Sequence, residues 1–159
     1  LWGGLEVIAH NINRKQSDLK LFEFGKVYCQ EGTRYVENNR LTLWLTGYSE
    51  ATNWIRKPRS VTFQDLNAVL YKILHQMGLT DFSTEPFQSA VHQTGIQVML
   101  GPQQLLTAGV VRASVSKQLG IEQLLLVADV DWDLLIKLQS PTGPYQVISK
   151  FPPVKRDVS

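Results

Sequence analysis

GIQVMLGPQQLLTAGVV (95–111) decides the fold. Two apolar runs, 95–101 and 105–111, flank a short turn at Pro102-Gln103. Each run has the length and the β-branched content of a strand. So short a connection joins strands running in opposite directions, so the stretch reads as an antiparallel hairpin.

Working outward, LLLVADV (124–130) reads as a strand buried on both faces. Upstream, LTLWLTGYS (41–49) sets Leu41, Leu43 and Leu45 on one face and Thr42, Trp44 and Thr46 on the other, the period of a strand. LFEFGKVYC (21–29) is a strand by its aromatic and β-branched content, and QEGTRYVENNR after it reads as a polar turn region. A further strand is expected near 82–89, and YQVIS (145–149) reads as a last one.

The clearest helix lies over 63–77. Thr62 and Asp65 have capping-box spacing, with Asp in place of the usual Glu. Phe63, Leu66, Val69, Leu70, Ile73, Leu74 and Met77 make one apolar stripe, and Gly78 supplies the stop. Leu1, Leu5, Ile8, Ala9 and Ile12 predict a helix over 1–13, its start loosened by Gly3-Gly4. Short helices follow at 114–120, capped by Ser114 or Ser116, and at 131–139, capped by Asp129 or Asp131. Antiparallel strands with interspersed helices make an α+β domain, an antiparallel sheet flanked by helices.

Composition narrows the function. With 159 residues and 43% apolar content, the chain can bury one real core. A net charge of +2 is too small for a nucleic-acid-binding face. Its denser basic clusters, Arg56, Lys57 and Arg59, then Lys155-Arg156, read as solvated loops. No apolar run would cross a bilayer. Cys29 is the only cysteine, which forbids an internal disulfide and suits a reducing cytoplasm.

No familiar catalytic motif is present. The histidines, His10, His75 and His92, lack metal-ligand spacing and read as surface or half-buried structural residues. Asp129, Asp131 and Asp133 alternate as a cation site might, but no glycine and distal Glu complete a calcium loop. They read instead as the end of a strand and the cap of a helix. Phosphate-binding and nucleophile-elbow glycine motifs are absent.

The chain closes on SKFPPVKRDVS, where Pro152-Pro153 imposes an extended course leading toward a further unit. Together with GLEVIAHNINRKQSDLKLFEFGKVY (4–28) and WIRKPRSVTFQDLNAVLYKILHQMG (54–78), VISKFPPVKRDVS (147–159) resembles the β subunit of bacterial phenylalanyl-tRNA synthetase. The three segments match in order and spacing. Thr62, Asn67-Ala68 and the stretch 108–120 depart from the family's pattern.

The resemblance implies a class II synthetase-like core over 1–150. Residues 151–159 would then be the junction to an anticodon-binding domain. It implies an α-subunit partner, tRNA, ATP and Mg²⁺ for the full enzyme, an assembly of two α and two β subunits, and a cytoplasmic location. It also implies an interface helix at 1–13, with Trp2, Leu5, Ile8 and Ile12 as its contacts. The Arg expected on the strand 21–29 is missing and only Glu23 is there, while Gly109 and Arg112 poorly echo the family's later Gly-rich motif. The expectation is therefore a core with no catalytic, cofactor-binding or metal residues. An active adenylate-forming enzyme with a diverged site and an RNA-binding module are the alternatives.

Overall fold

A computed structural model of the chain describes residues 2–49 and 58–140, with the backbone alone at Cys29 and Glu31. The elements run α1 (Trp2–Asn13), β1 (Leu19–Glu31), β2 (Arg34–Thr46), α2 (Phe63–Gln76), β3 (Ser83–Phe87), β4 (His92–Leu100), β5 (Gln103–Val111), α3 (Ala113–Ser116), β6 (Leu125–Asp131) and α4 (Trp132–Leu138). A 3-10 turn, Lys117–Leu119, follows α3. The strands form one sheet in the order β1-β2-β6-β5-β4-β3, every neighbour antiparallel.

Strand alternation builds a core on each face. Leu41, Leu43 and Leu45 of β2 and Leu126, Ala128 and Val130 of β6 face one way, under Leu66, Leu70 and Leu74 of α2 and Leu135 of α4. Trp44, Leu125 and Val127 face the other way, under Leu5 and Ile8 of α1 and Ile121 beyond the 3-10 turn. The central strand β6 is thus apolar on both faces from Leu125 to Ala128, where helices cover both.

Gly4 is what lets Trp44 reach α1. A Cβ at Gly4 would overlap the Trp44 indole, whereas one at Gly3 would meet nothing. The pair does not simply loosen the helix start: Gly4 is a packing contact. At α2, the Asp65 carboxylate accepts the Thr62 backbone N–H (2.7 Å) and hydroxyl (2.8 Å), and pairs bidentately with Arg59 at 2.7 and 2.9 Å. Arg59 is therefore part of a helix clamp rather than a free loop charge.

The largest correction concerns 30–40. Instead of a polar turn region, it continues both strands, and β1 and β2 pair from Leu19↔Thr46 out to Glu31↔Arg34. Gly32, at φ 61°, and Thr33 make the two-residue turn. Glycine with positive φ at the first central position is what a type II′ hairpin turn needs. Polarity there misled because this half of the hairpin runs beyond the sheet: β6 pairs only with Arg40 to Thr46. Accordingly the second strand ends at Thr46, short of the expected 49.

The β4–β5 turn sits one residue earlier than its sequence suggested, at Gly101-Pro102, again with positive φ (58°) at glycine. The short helix begins at Ala113 and is N-capped by Arg112 without a side-chain bond, not by a serine. The expectations at Trp54, Arg56, Lys57, 145–149, Lys155-Arg156 and 151–159 lie outside the described residues.

Candidate functional site

Helix α1 covers only one end of its sheet face. At the other end the period-2 alternation continues with polar residues: Arg40 and Thr42 precede Trp44 on β2, Glu23 lies opposite Thr42 on β1, and Asp129 lies opposite it on β6. These line a cleft of about 330 Å³, walled by Gly25, Lys26 and Val27 of β1 and by Phe87, Ser89, Val91 and His92.

Arg40 dominates the floor. Its Nη2 and Nε donate to Asp129 at 2.8 and 3.3 Å, and its Nη1 donates to Asp131 at 3.1 Å. Burial alone would lower the guanidinium's pKa, but the hydrogen bonds and charges of Asp129 and Asp131 outweigh it and raise it. Asp131 has a second task as the N-cap of α4, accepting Leu134 N–H at 2.9 Å. Asp133 accepts both N–H groups of Asn39, backbone (2.7 Å) and side chain (2.8 Å), and its pKa is lowered by those bonds. The alternating aspartates are therefore a clamp on β2, with only Asp131 acting as the cap. Lys26 is joined to Glu37 on the neighbouring strand.

The wall is held by a close strand contact. Gly95 and Gly109 are directly opposed on β4 and β5, and a Cβ on either would overlap the other strand's backbone. His92 folds over Gly109 and meets Phe87 edge-on, with ring centroids 5.4 Å apart. It is 6% exposed, so it is buried, not the surface or half-buried residue its sequence context suggested. Its Nδ1 lies 3.0 Å from Ser89 Oγ, and burial lowers its pKa, opposed by the charge of Asp129. Arg112 donates its Nε to Ser89 O at 2.7 Å, and Gly109 serves the strand contact. His10 and His75 are exposed.

The four expected interface residues separate. Leu5 and Ile8 are fully buried in the chain's own core, and Ile12 packs partly against it. Two buried leucine-like side chains cannot also cover a second chain, which corrects their assignment. Trp2 remains 53% exposed, and Val7, not singled out before, is 50% exposed. Arg40 was missed as well, although its two-residue offset from Thr42 placed it on the polar face once β2 was extended.

The family model for the phenylalanyl tRNA synthetase beta chain CLM domain matches residues 1–132. Phenylalanine–tRNA ligase beta subunits of Bacteroides fragilis and Bacteroides thetaiotaomicron are 34% and 35% identical over the whole of this chain. The chain spans about a fifth of their length, 21% in each case. Among solved structures, two of pyrrolysyl tRNA synthetase from Desulfitobacterium hafniense superpose with TM-scores of 0.62 and 0.63. They cover 85% and 86% of this chain and 47% of theirs, at 18% and 16% identity, a likeness of fold alone. The chain thus belongs to the family of phenylalanyl tRNA synthetase beta chain CLM domains.

Proposed function

We propose that this chain is a non-catalytic core of a phenylalanine–tRNA ligase β subunit, acting through assembly rather than chemistry. One observation carries the non-catalytic part: the cations lining the cleft are already engaged, Arg40 by Asp129 and Asp131, and Lys26 by Glu37. Adenylate formation needs cations free to meet phosphate charge as it develops. Glu23 adds to the lining a carboxylate that would repel phosphate. The lining therefore does not fit ATP with Mg²⁺, and no group of three or more metal-ligating side chains converges among the described residues. In this reading ATP and Mg²⁺ are used by the α subunit, two α and two β subunits assemble on tRNA in the cytoplasm, and 151–159 leads into an anticodon-binding domain. No described helix is long and apolar enough to cross a membrane.

Phenylalanine-dependent ATP–pyrophosphate exchange tests the proposal. The purified chain is expected to show none above background. Exchange that survives removal of contaminating synthetase, and is lost in Arg40→Ala, would establish an active enzyme with a diverged site instead. Tight, strongly salt-dependent tRNA binding by the chain alone would favour an RNA-binding module.

A further inference from the structure

The corner that joins β3 to β4 is tied by hydrogen bonds that converge on Ser89. Its backbone N–H donates to His92 O at 3.2 Å, and its carbonyl accepts Arg112 Nε at 2.7 Å. Its hydroxyl oxygen accepts the N–H groups of Val91 (3.2 Å) and His92 (3.0 Å). A hydroxyl has two acceptor sites, so both are taken, and its own hydrogen turns to His92 Nδ1 at 3.0 Å. Nδ1 must then accept, which only the neutral ring can do. The ring is buried over Gly109 and edge-on to Phe87, and its Nε2 has no partner among the described residues.

A proton on the ring turns this arrangement against itself. Both nitrogens of a charged histidine donate. Nδ1–H would meet an oxygen whose acceptor sites are filled, and Nε2–H would be a second buried donor without an acceptor. A buried charge with unmet hydrogen bonds is costly to any fold. The neighbours offer little relief. Asp129 of β6 is the facing carboxylate, and it is shared with Arg40. Strands β4 and β5 carry no other titratable residue. Arg112 beyond β5 is a cation, Glu85 of β3 is turned to Gln97, and Glu23, Lys26 and Arg40 lie across the cleft. Burial therefore lowers the ring's pKa, with the charge of Asp129 opposing it. The corner also holds the least secured part of the sheet. Among the described residues β3 is a five-residue edge strand paired with β4 alone, and the β4 register shifts directly after His92.

We propose that this corner is an acid-released latch: a proton on His92 unties it from Ser89, frees β3 from the sheet edge and opens the cleft wall made by Phe87, Ser89, Val91 and His92. Above about pH 6.5, the ordinary histidine value, the ring is neutral in the open and the closed corner alike, and the latch holds. As pH falls below that value the open corner takes up a proton that the closed one refuses, so opening gains up to about tenfold per pH unit. The gain ends at the lower pKa of the closed corner. The latch needs no ligand in the cleft and no chemistry at the ring.

Histidine-ring ¹⁵N NMR and amide hydrogen exchange on the intact chain, between about pH 7.5 and pH 5, test the latch. The His92 ring is expected to be the Nε2–H tautomer and to titrate below about 6.5. Exchange at the Ser89, Val91, His92 and Arg112 amides, corrected for its intrinsic pH dependence, is expected to rise by up to about tenfold per unit relative to Leu70 and Leu74 in α2. His10→Gln with His75→Gln should keep that rise, since both histidines are exposed and remote from the corner's bonds. His92→Phe should abolish it. A His92 that titrates at or above the ordinary value, or corner amides that track α2 at every pH, would overturn the proposal, as would a rise that survives in folded His92→Phe. Should His92→Phe not fold, the wild-type ring and amides still decide.

Discussion

Gly3 and Gly4 are neighbours in one helix, yet their environments are opposite. Nothing lies where a Cβ at Gly3 would point, while the Trp44 ring occupies that place at Gly4. Gly3→Ala should stabilise the fold by about 0.5–1 kcal/mol through helix propensity. Gly4→Ala gains the same propensity but forces the indole out of a packed core, and should cost about 1–3 kcal/mol net. Paired urea melts would check this, and equal midpoints for the two variants would show that the Gly4–Trp44 contact does not govern the site. From sequence the two glycines were indistinguishable. The period of helix and strand shows which face a residue occupies, but not which side chain from another element arrives there. His92 was opaque for the same reason: its burial comes from the Gly95–Gly109 approach and from Phe87, all set by strand register.

Helix α2 was legible almost in full, because its start, stripe and stop signals are local. Thr62, Asp65, Leu66, Leu70, Leu74 and Gly78 all act as their spacing required. Its cap also makes it sensitive to acid. Hydrogen bonds from Arg59, then Thr62, hold the Asp65 carboxyl well below the usual carboxylate range. A depressed folded-state pKa gives stability that is present above the unfolded value, about 4, and lost as pH falls through the folded one. Wild type should therefore lose stability below about pH 4, and Asp65→Asn should lose less over that range while being less stable at neutral pH by about 1 kcal/mol. Melting temperatures from pH 7 downward measure both, and parallel curves for the two proteins would exclude the clamp. The β1–β2 hairpin was half legible. Apolar alternation marks a strand only where a core lies beneath it, and the outer part of this ribbon has none.

For the whole molecule, the two-sided sheet explains what a partner can reach. Leu5 and Ile8 are sealed under α1, so Leu5→Asp with Ile8→Asp should unfold the domain rather than report on assembly. The outer face of α1 keeps Trp2 and Val7 exposed, and in the function proposed above it is the part of that helix left for a partner chain. If the proposed function holds, then in a β subunit containing this chain Trp2→Asp with Val7→Asp should keep the circular dichroism spectrum of wild type and weaken co-purification with the α subunit by at least about tenfold, the loss of one anchored aromatic. Wild-type assembly by the folded variant would remove α1 from the interface. The sheet order carries a different consequence, for biosynthesis. Strand β6 sits at the centre of the sheet but is the last strand to leave the ribosome among those described. Until it emerges, the β1–β2 hairpin and the β3–β4–β5 meander are separate ribbons, each with a bare inner edge. At about 5–20 residues per second, Asp131 follows Val111 by roughly one to four seconds. During that interval nascent chains on a crowded polysome are open to pairing with one another through those edges, and it is then that a trigger-type chaperone would have the most to shield.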